Sequence, residues 1–514
     1  MPLTRTTNAA TMFHTDHAGR LPPKLAFALV SFALGELGDG LNIFQGIYLV
    51  GMGWNEGSVG AALSLMGLTA LLVQTVAGDI VDRTTVDRRI FLTVASVITA
   101  ASASSVMFVQ GDSQHILMYI TKVVEGIASS FIGPCLAALT LASFGPEHFD
   151  PIMANNILWG HVGSVASAIL AGVVAYVSYG EAGEGVKYCF LVIGFSALIA
   201  VIFVRMCPEG DPLMGRGFKG AVALDEQGHL EKVSSYDEQH GGDDTSPEGG
   251  LSTTVAEALD ESNEELILQK ESSAMPEAAS YWSVFLDPKT CVLCLTGFFF
   301  HFANANVLLV LGELMGGDND DGAPKRSAIP LIAGAIILAQ GTMSAATIAG
   351  GRLTDKGVGR KPLFLAGLLT LPIRCALIIL WRNKSEGYLL STQILDGLGG
   401  GFFGLLHPYL VADLTFGTGR FNVVMGLTAS CFGLGGTMSN FLGQLAVQYF
   451  GHVISLLCSL TLSFIPIILF ALFMPETYGQ RGNLEELNIK ASRSQSPRAK
   501  FTPVTSDNQY VQMT

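Results

Sequence analysis

Long apolar runs dominate the chain, and its polar residues gather in short connections between them. Each run is roughly 20 residues or more, enough for a helix to cross a bilayer core at about 1.5 Å per residue. The runs are apolar around the whole helix, as a membrane span requires, and lack the single stripe of a soluble amphipathic helix. Twelve spans are expected. They lie near 25–50, 57–79, 90–109, 115–142, 153–179 and 187–206, then 289–315, 329–350, 361–381, 388–414, 421–450 and 452–474. The fold class is therefore an all-α membrane protein with twelve transmembrane helices. A polar segment, 1–24, precedes the first span, and it shows no short apolar stretch with a cleavage site. A linker, 207–280, separates the sixth and seventh spans, and a tail, 475–514, follows the last.

Three sequence matches divide the spans into two related sets. Gly78-Asp79-Ile80-Val81-Asp82-Arg83, closing with Arg88-Arg89, recurs as Gly351-Arg352-Leu353-Thr354-Asp355-Lys356, closing with Arg360-Lys361, an offset of 273. Thr121-Lys122-Val123-Val124-Glu125-Gly126 recurs as Thr392-Gln393-Ile394-Leu395-Asp396-Gly397 at offset 271. Phe149-Asp150-Pro151-Ile152-Met153 recurs as Phe421-Asn422-Val423-Val424-Met425 at offset 272. Six helices are thus duplicated, in one orientation because six is even. The result is two six-helix bundles, 25–206 and 281–474. Parallel repeats of this kind place a substrate site near the midplane, between the halves.

Composition sharpens this picture. With 49% hydrophobic and 14% charged residues, a set of soluble domains is excluded. The net charge of −14 is local: 207–280 holds 17 acidic and 4 basic residues, and the remainder holds 26 and 25. The acidity describes a linker, expected to be mostly disordered with a short helix around Thr254–Lys270, and carries no message about substrate charge. The cysteines fall mostly inside apolar spans, where they pack as small hydrophobes. Cys291-x-x-Cys294 lacks a second pair, so no metal is expected. Basic loop residues (Arg83, Arg88, Arg89, Lys356, Arg360, Lys361 and Arg420, with Arg5, Arg20 and Lys24) place both termini and the linker in the cytoplasm. Plasma and organelle membranes both remain open. No phosphate-cradling Gly-x-x-x-x-Gly-Lys-Ser/Thr motif, nucleophile–base pair or cofactor signature is present, which argues against an ATP-driven pump and an enzyme.

On the doubled loop signature, the chain resembles the major facilitator superfamily over 25–206 and 289–474. The second copy, with Gly359, is close to the family form, whereas Thr84-Thr85-Val86-Asp87 replaces a glycine-containing stretch in the first. The resemblance implies a cytoplasmic gate built from Gly78, Asp82, Arg83 and Arg89 and from Gly351, Asp355, Lys356 and Arg360, favouring an outward-open state. Ion pairs at such an interface form in one state and break in another. The plainer reading is that the bases only hold the loops inside.

A charge at membrane depth costs roughly 2.5–3.5 kcal/mol even on insertion scales, so each needs a reason. Glu36, Asp39, Asn42 and Gln45 step by three along one helical stripe, expected to face a central cavity. Lys122 and Glu125 stand at i, i+3 and can pair. The resemblance implies proton coupling at this place, where the family usually has Arg; a static pair is the alternative. Gln393 and Asp396 occupy the matching repeat positions, and Arg374 lies at similar depth, so an Arg374–Asp396 pair is expected, as a structural one. Asp413 is expected to meet loop bases such as Arg420. Asn155, His161, His301, Asn304 and Gln340 add polar groups, and a histidine can carry a proton near neutral pH.

These readings converge on a secondary transporter that moves a small, neutral or mildly polar solute by alternating access, coupled to protons and acting as a monomer. Its partners are the solute, protons and lipid, with no nucleic acid and no cofactor. Gly160-His161-Val162-Gly163 lacks the proline of the drug-antiporter motif, which lowers drug efflux. Pro475-Glu476-Thr477-Tyr478-Gly479 is similar to a sugar-porter ending, so an uncoupled or sugar-type porter is the first alternative. A nutrient receptor that does not transport is the second.

Overall fold

A computed structural model describes residues 21–35, 37, 41–54, 56–84, 86–109, 115–218, 222–224, 230–232, 278–316 and 328–479. Among them, ten helices are long and apolar enough to cross a membrane. The protein is an integral, multi-pass membrane protein whose membrane part is all α-helical. Spans 2 and 3 are the helices Glu56–Arg83 and Arg88–Ser104. Spans 4 and 5, within His115–Val177, are two helices that meet at a kink at Gly145 (φ 69, ψ 175). Only glycine takes this backbone freely. The sequence expectation left ten residues between these spans; the turn uses one. Span 6 is Leu191–Val204, led by a 3-10 stretch, Glu181–Phe190.

In the second half, a short helix, Tyr281–Phe285, precedes span 7, Pro288–Gly316. Span 8 is Ala328–Asp355, span 9 is Arg360–Trp381, and span 11 is Phe421–Phe450. Span 10 is Gln393–Thr415, with Glu386–Ser391 leading into it. Span 12 is Phe464–Phe473 stacked on His452–Leu462, with a break at Ser463. The first span departs most from the expected straight helix. It consists of Pro23–Leu34 and Asn42–Gly51, neither long enough to cross alone. Leu41 between them has φ 56, a conformation a leucine rarely adopts.

One hydrophobic core fills the first half around Phe27, Phe44, Leu92, Phe144 and Phe190. A second fills the other half around Phe300, Phe364, Leu406 and Phe470. Large apolar side chains such as Leu72, Ile116, Phe441 and Leu472 point outward, as lipid-facing surface must. Span 2 packs on span 11, and span 5 on span 8, joining the halves. Backbones approach closely there. A Cβ on Gly78 would collide with the carbonyl of Asn422, and one on Gly426 with the carbonyl of Gln74. Small residues permit this approach.

The linker is not free chain from its first residue. The amide of Asp211 donates to the carbonyl of Ala142 (2.8 Å), and Arg88 Nη2 donates to that of Pro212 (3.1 Å). From the other half, Asn422 Nδ2 donates to the Gly215 carbonyl (2.9 Å), and the Gly417 amide to that of Gly217 (2.7 Å). Phe218 is buried against Gly419. Residues 207–218 are therefore a strap fastened to both halves. Beyond it, Val222–Leu224 pairs antiparallel with Leu230–Lys232. The expected helix at 254–270 lies outside the described residues.

Candidate functional site

The doubled loops lie on one end of the bundle, and the halves meet there through polar contacts. The approach allowed by Gly78 brings the end of span 2 against the start of span 11. A helix start leaves amide hydrogens without partners and carries partial positive charge. The fully buried Asp82 carboxylate fills that need, accepting from Asn422 Nδ2 (2.7 Å), the Val423 amide (2.9 Å) and, more loosely, the Asn422 amide (3.4 Å). A carboxylate of one half thus caps a helix of the other.

The second loop does something different. Asp150 stands at the repeat position of Asn422, so a docked Asp355 would meet a like charge. Asp355 and Lys356 are exposed instead. Asp150 takes Arg360: Arg360 Nη2 reaches Asp150 Oδ2 at 2.8 Å and Arg360 Nε reaches Asp413 Oδ2 at 2.6 Å. Tyr409 stacks on the same guanidinium at 4.9 Å and donates to the Asp150 carbonyl at 2.6 Å. Asp413 therefore meets a loop base, Arg360, and also Thr477 Oγ1 (2.7 Å). Glu476 accepts from the Arg360 and Lys361 amides at 2.8 and 3.1 Å, capping span 9. Glu476, in the 475–479 ending, thus serves as a helix cap.

The two bases expected in the first-loop gate part ways, Arg83 reaching the other half through Tyr281 and Arg89 not. Arg89 stays within its own half, bonded to Asp87 and to the Cys207 carbonyl (3.0 Å) and paired with Glu209. Arg83 is exposed and bonds Tyr281 and Asp79. Tyr281 donates to Asp79 at 2.5 Å, and the Arg420 guanidinium lies 3.8 Å from its ring centroid. Tyr281, Asp79 and Arg420 form a further contact between halves. No sequence pattern marks Tyr281, which lies 202 residues after Asp79 and outside any repeat match.

Within the membrane, Lys122 and Glu125 pair at 2.8 Å, both fully buried. In the second half, Arg374 Nη1 reaches Asp396 Oδ1 at 2.6 Å and Asn304 Oδ1 at 2.8 Å. Asn304 Nδ2 also donates to Asp396 Oδ1 (3.2 Å), and Arg374 Nη2 approaches Gln393 Oε1 (3.5 Å). The carboxylates of Glu125 and Asp396 hold equivalent repeat positions, yet their bases come from different helices. The first pair is sealed, and the Asp396 side chain is 16% exposed. Between halves, His161 Nδ1 and Gln340 Oε1 lie 2.7 Å apart. Asn155 is half-buried. His301 packs among rings, stacked on Phe432 and edge-on to Phe403. Gln45 is buried in the first span. Glu36 and Asp39 lie outside the described residues, as does the side chain of Asn42. Gly351 faces Ala154, where a Cβ would rest 3.6 Å from the alanine methyl. Among the described residues, no cluster of three or more His, Cys, Asp or Glu could hold a metal.

A sequence profile of the Major Facilitator Superfamily matches residues 25–340 and 293–504. Two uncharacterized MFS-type transporters of Mycobacterium tuberculosis, from strains CDC 1551 / Oshkosh and ATCC 25618 / H37Rv, are each 30% identical over 462 residues, 89% of this chain and 94% of theirs. Among solved structures, the proton:xylose symporter XylE bound to 6-bromo-6-deoxy-D-glucose is similar with TM-score 0.62 at 14% identity, covering 91% of this chain and 98% of that one. The human organic anion transporter MFSD10 is similar with TM-score 0.56 at 15% identity, covering 87% and 100%. At these identities the two structures speak for the fold alone.

Proposed function

The chain belongs to the major facilitator superfamily, and from that premise we propose that it is a monomeric secondary carrier. It moves a small, neutral or mildly polar solute by alternating access, with the doubled-loop end in the cytoplasm and protons as the coupled ion. The observation that carries the reading is the Asp82 cap on span 11. It joins the halves by contacts that water can replace, as a seal that opens once per cycle must be. The Arg360–Asp150 pair supports the same reading. So do the groups that keep charge or polarity at membrane depth, Lys122, Glu125, Asp396, Asn304 and His161. Coupling is assigned to Glu36, Asp39, Glu125 or a histidine.

An uncoupled facilitator is the second reading. It is favoured by the Lys122–Glu125 pair, whose opposite charges are fully buried against each other. The test is purified protein in liposomes under an imposed pH gradient, offered a panel of labelled solutes, with Asp39→Asn and Glu125→Gln beside the wild type. Gradient-driven accumulation lost in at least one variant is the expected result. Unchanged proton-driven accumulation in both overturns the coupling assignment. Wild-type flux indifferent to the gradient selects the facilitator. Binding without flux of any solute selects a receptor.

A further inference from the structure

The Arg374 cluster leaves two buried donors over, from two side chains that touch each other within the membrane. Arg374 and Gln393 are each 1% exposed. Arg374 spends Nη1 on Asp396 and Asn304, and Nη2 on Gln393, and its Nε has no acceptor among the described residues. The orientation of the Gln393 amide is fixed by its neighbour. A guanidinium cannot accept a hydrogen bond, so the oxygen of Gln393 faces it and the nitrogen turns away. That nitrogen, Nε2, is also buried without an acceptor. Buried donors in folded proteins are satisfied almost without exception, so two in one cluster point to an acceptor that arrives from outside. Asn304 is not in deficit, because its amide oxygen and nitrogen are both engaged. Asp396 engages Oδ1 and leaves its side chain partly exposed. At the repeat mate, Lys122 and Glu125 sit on one helix and pair with each other.

We propose that Arg374, Gln393, Asp396 and Asn304, drawn from spans 7, 9 and 10, form a solute-binding subsite that takes a neutral solute with neighbouring hydroxyl or carbonyl oxygens, as in a polyol. This rests on the carrier reading above and names its substrate class. The chemistry follows from charge and donor balance. The cluster is already neutral, since Arg374 is matched by Asp396. An anionic solute would bring a second negative charge against Asp396, and a cationic one would face the guanidinium. A polyol satisfies both sides: its oxygens accept from Arg374 Nε and Gln393 Nε2, and its hydroxyl hydrogens donate to the Asp396 carboxylate. Arg374 is the residue that positions the carboxylate, and Gln393 is the one that distinguishes an oxygen-bearing solute from an apolar one.

The test uses the full-length protein in detergent for binding and in liposomes for flux, with D-glucose and myo-inositol as neutral probes, lactate as an anion and choline as a cation. In the wild type, a neutral probe is expected to bind more tightly than lactate or choline. Gln393→Ala removes one donor and is expected to weaken that binding by roughly tenfold or more, through KM rather than kcat. Gln393→Glu separates recognition from folding. It keeps the size of the side chain and its oxygen toward Arg374 while removing the Nε2 donor, so neutral-probe binding is expected to be lost in protein that still melts cooperatively. Neutral-probe binding that is unchanged in both Gln393 variants overturns the subsite. A wild-type preference for lactate or choline overturns the substrate class. In either case flux of the preferred probe leaves the carrier reading standing, whereas absence of flux for all four probes, with binding intact, is the failure of that reading itself.

Discussion

A single carboxylate shows how a residue acquires its role. Asp82 is legible in the sequence as the acid of a repeated loop. That it caps a helix of the other half is decided by Gly78, which lets the two helices meet, and by Asn422, which extends the cap with its own amide. Removing the carboxylate leaves span 11 with buried, unbonded amides, at a cost of about 1–3 kcal/mol. Asp82→Ala is therefore expected to speed backbone hydrogen exchange across residues 415–425 by about five- to a hundredfold, with Asp82→Asn between it and the wild type, as read by mass spectrometry. Equal exchange in all three proteins would remove Asp82 from the seal. The repeat mate shows the limit of symmetry. Asp355 matches Asp82 in the sequence, but Asp150 replaces Asn422 opposite it, and the second loop closes through Arg360.

At the scale of elements, the apolar runs gave the positions of the helices and missed their breaks. Span 1 is interrupted around Leu41, and spans 4 and 5 are joined at Gly145, because a run of hydrophobic residues reports burial in lipid and not backbone direction. The strap was missed for the opposite reason. Its composition is that of a linker, and its order comes from contacts with two other elements. Phe218 holds its end, buried against Gly419. Phe218→Ala removes that ring, and such losses cost about 3–5 kcal/mol in a well-packed core. The expected outcome is faster tryptic cleavage after Arg216 in the folded protein, with residues 207–214 still held by Arg88 and Ala142. Cleavage at the wild-type rate would show that the strap owes nothing to Phe218.

For the whole molecule, several polar contacts among the described residues close the two halves on the doubled-loop end. These are the Asp82 cap, the Arg360–Asp150 pair, the Tyr281 cluster and the strap. The seam between spans 5 and 8 brings position 154 beside position 351, with the added Cβ at 3.6 Å, inside the range that a disulfide bridges. Oxidation of an Ala154→Cys, Gly351→Cys double variant is thus expected to cross-link the halves and arrest flux, and reductant to restore it. Cross-linking that leaves flux intact would mean that this seam does not open during transport. The sequence by itself determined the number and place of the apolar runs, the duplication and the family, because hydrophobicity and repeats are properties of the chain alone. Tertiary structure decided which equivalent residues keep equivalent roles. Lys122 and Glu125 pair on one helix, whereas Asp396 takes its base from span 9. The halves share sequence matches, but each polar group must be satisfied by whatever its own neighbours offer, and those neighbours differ between the halves.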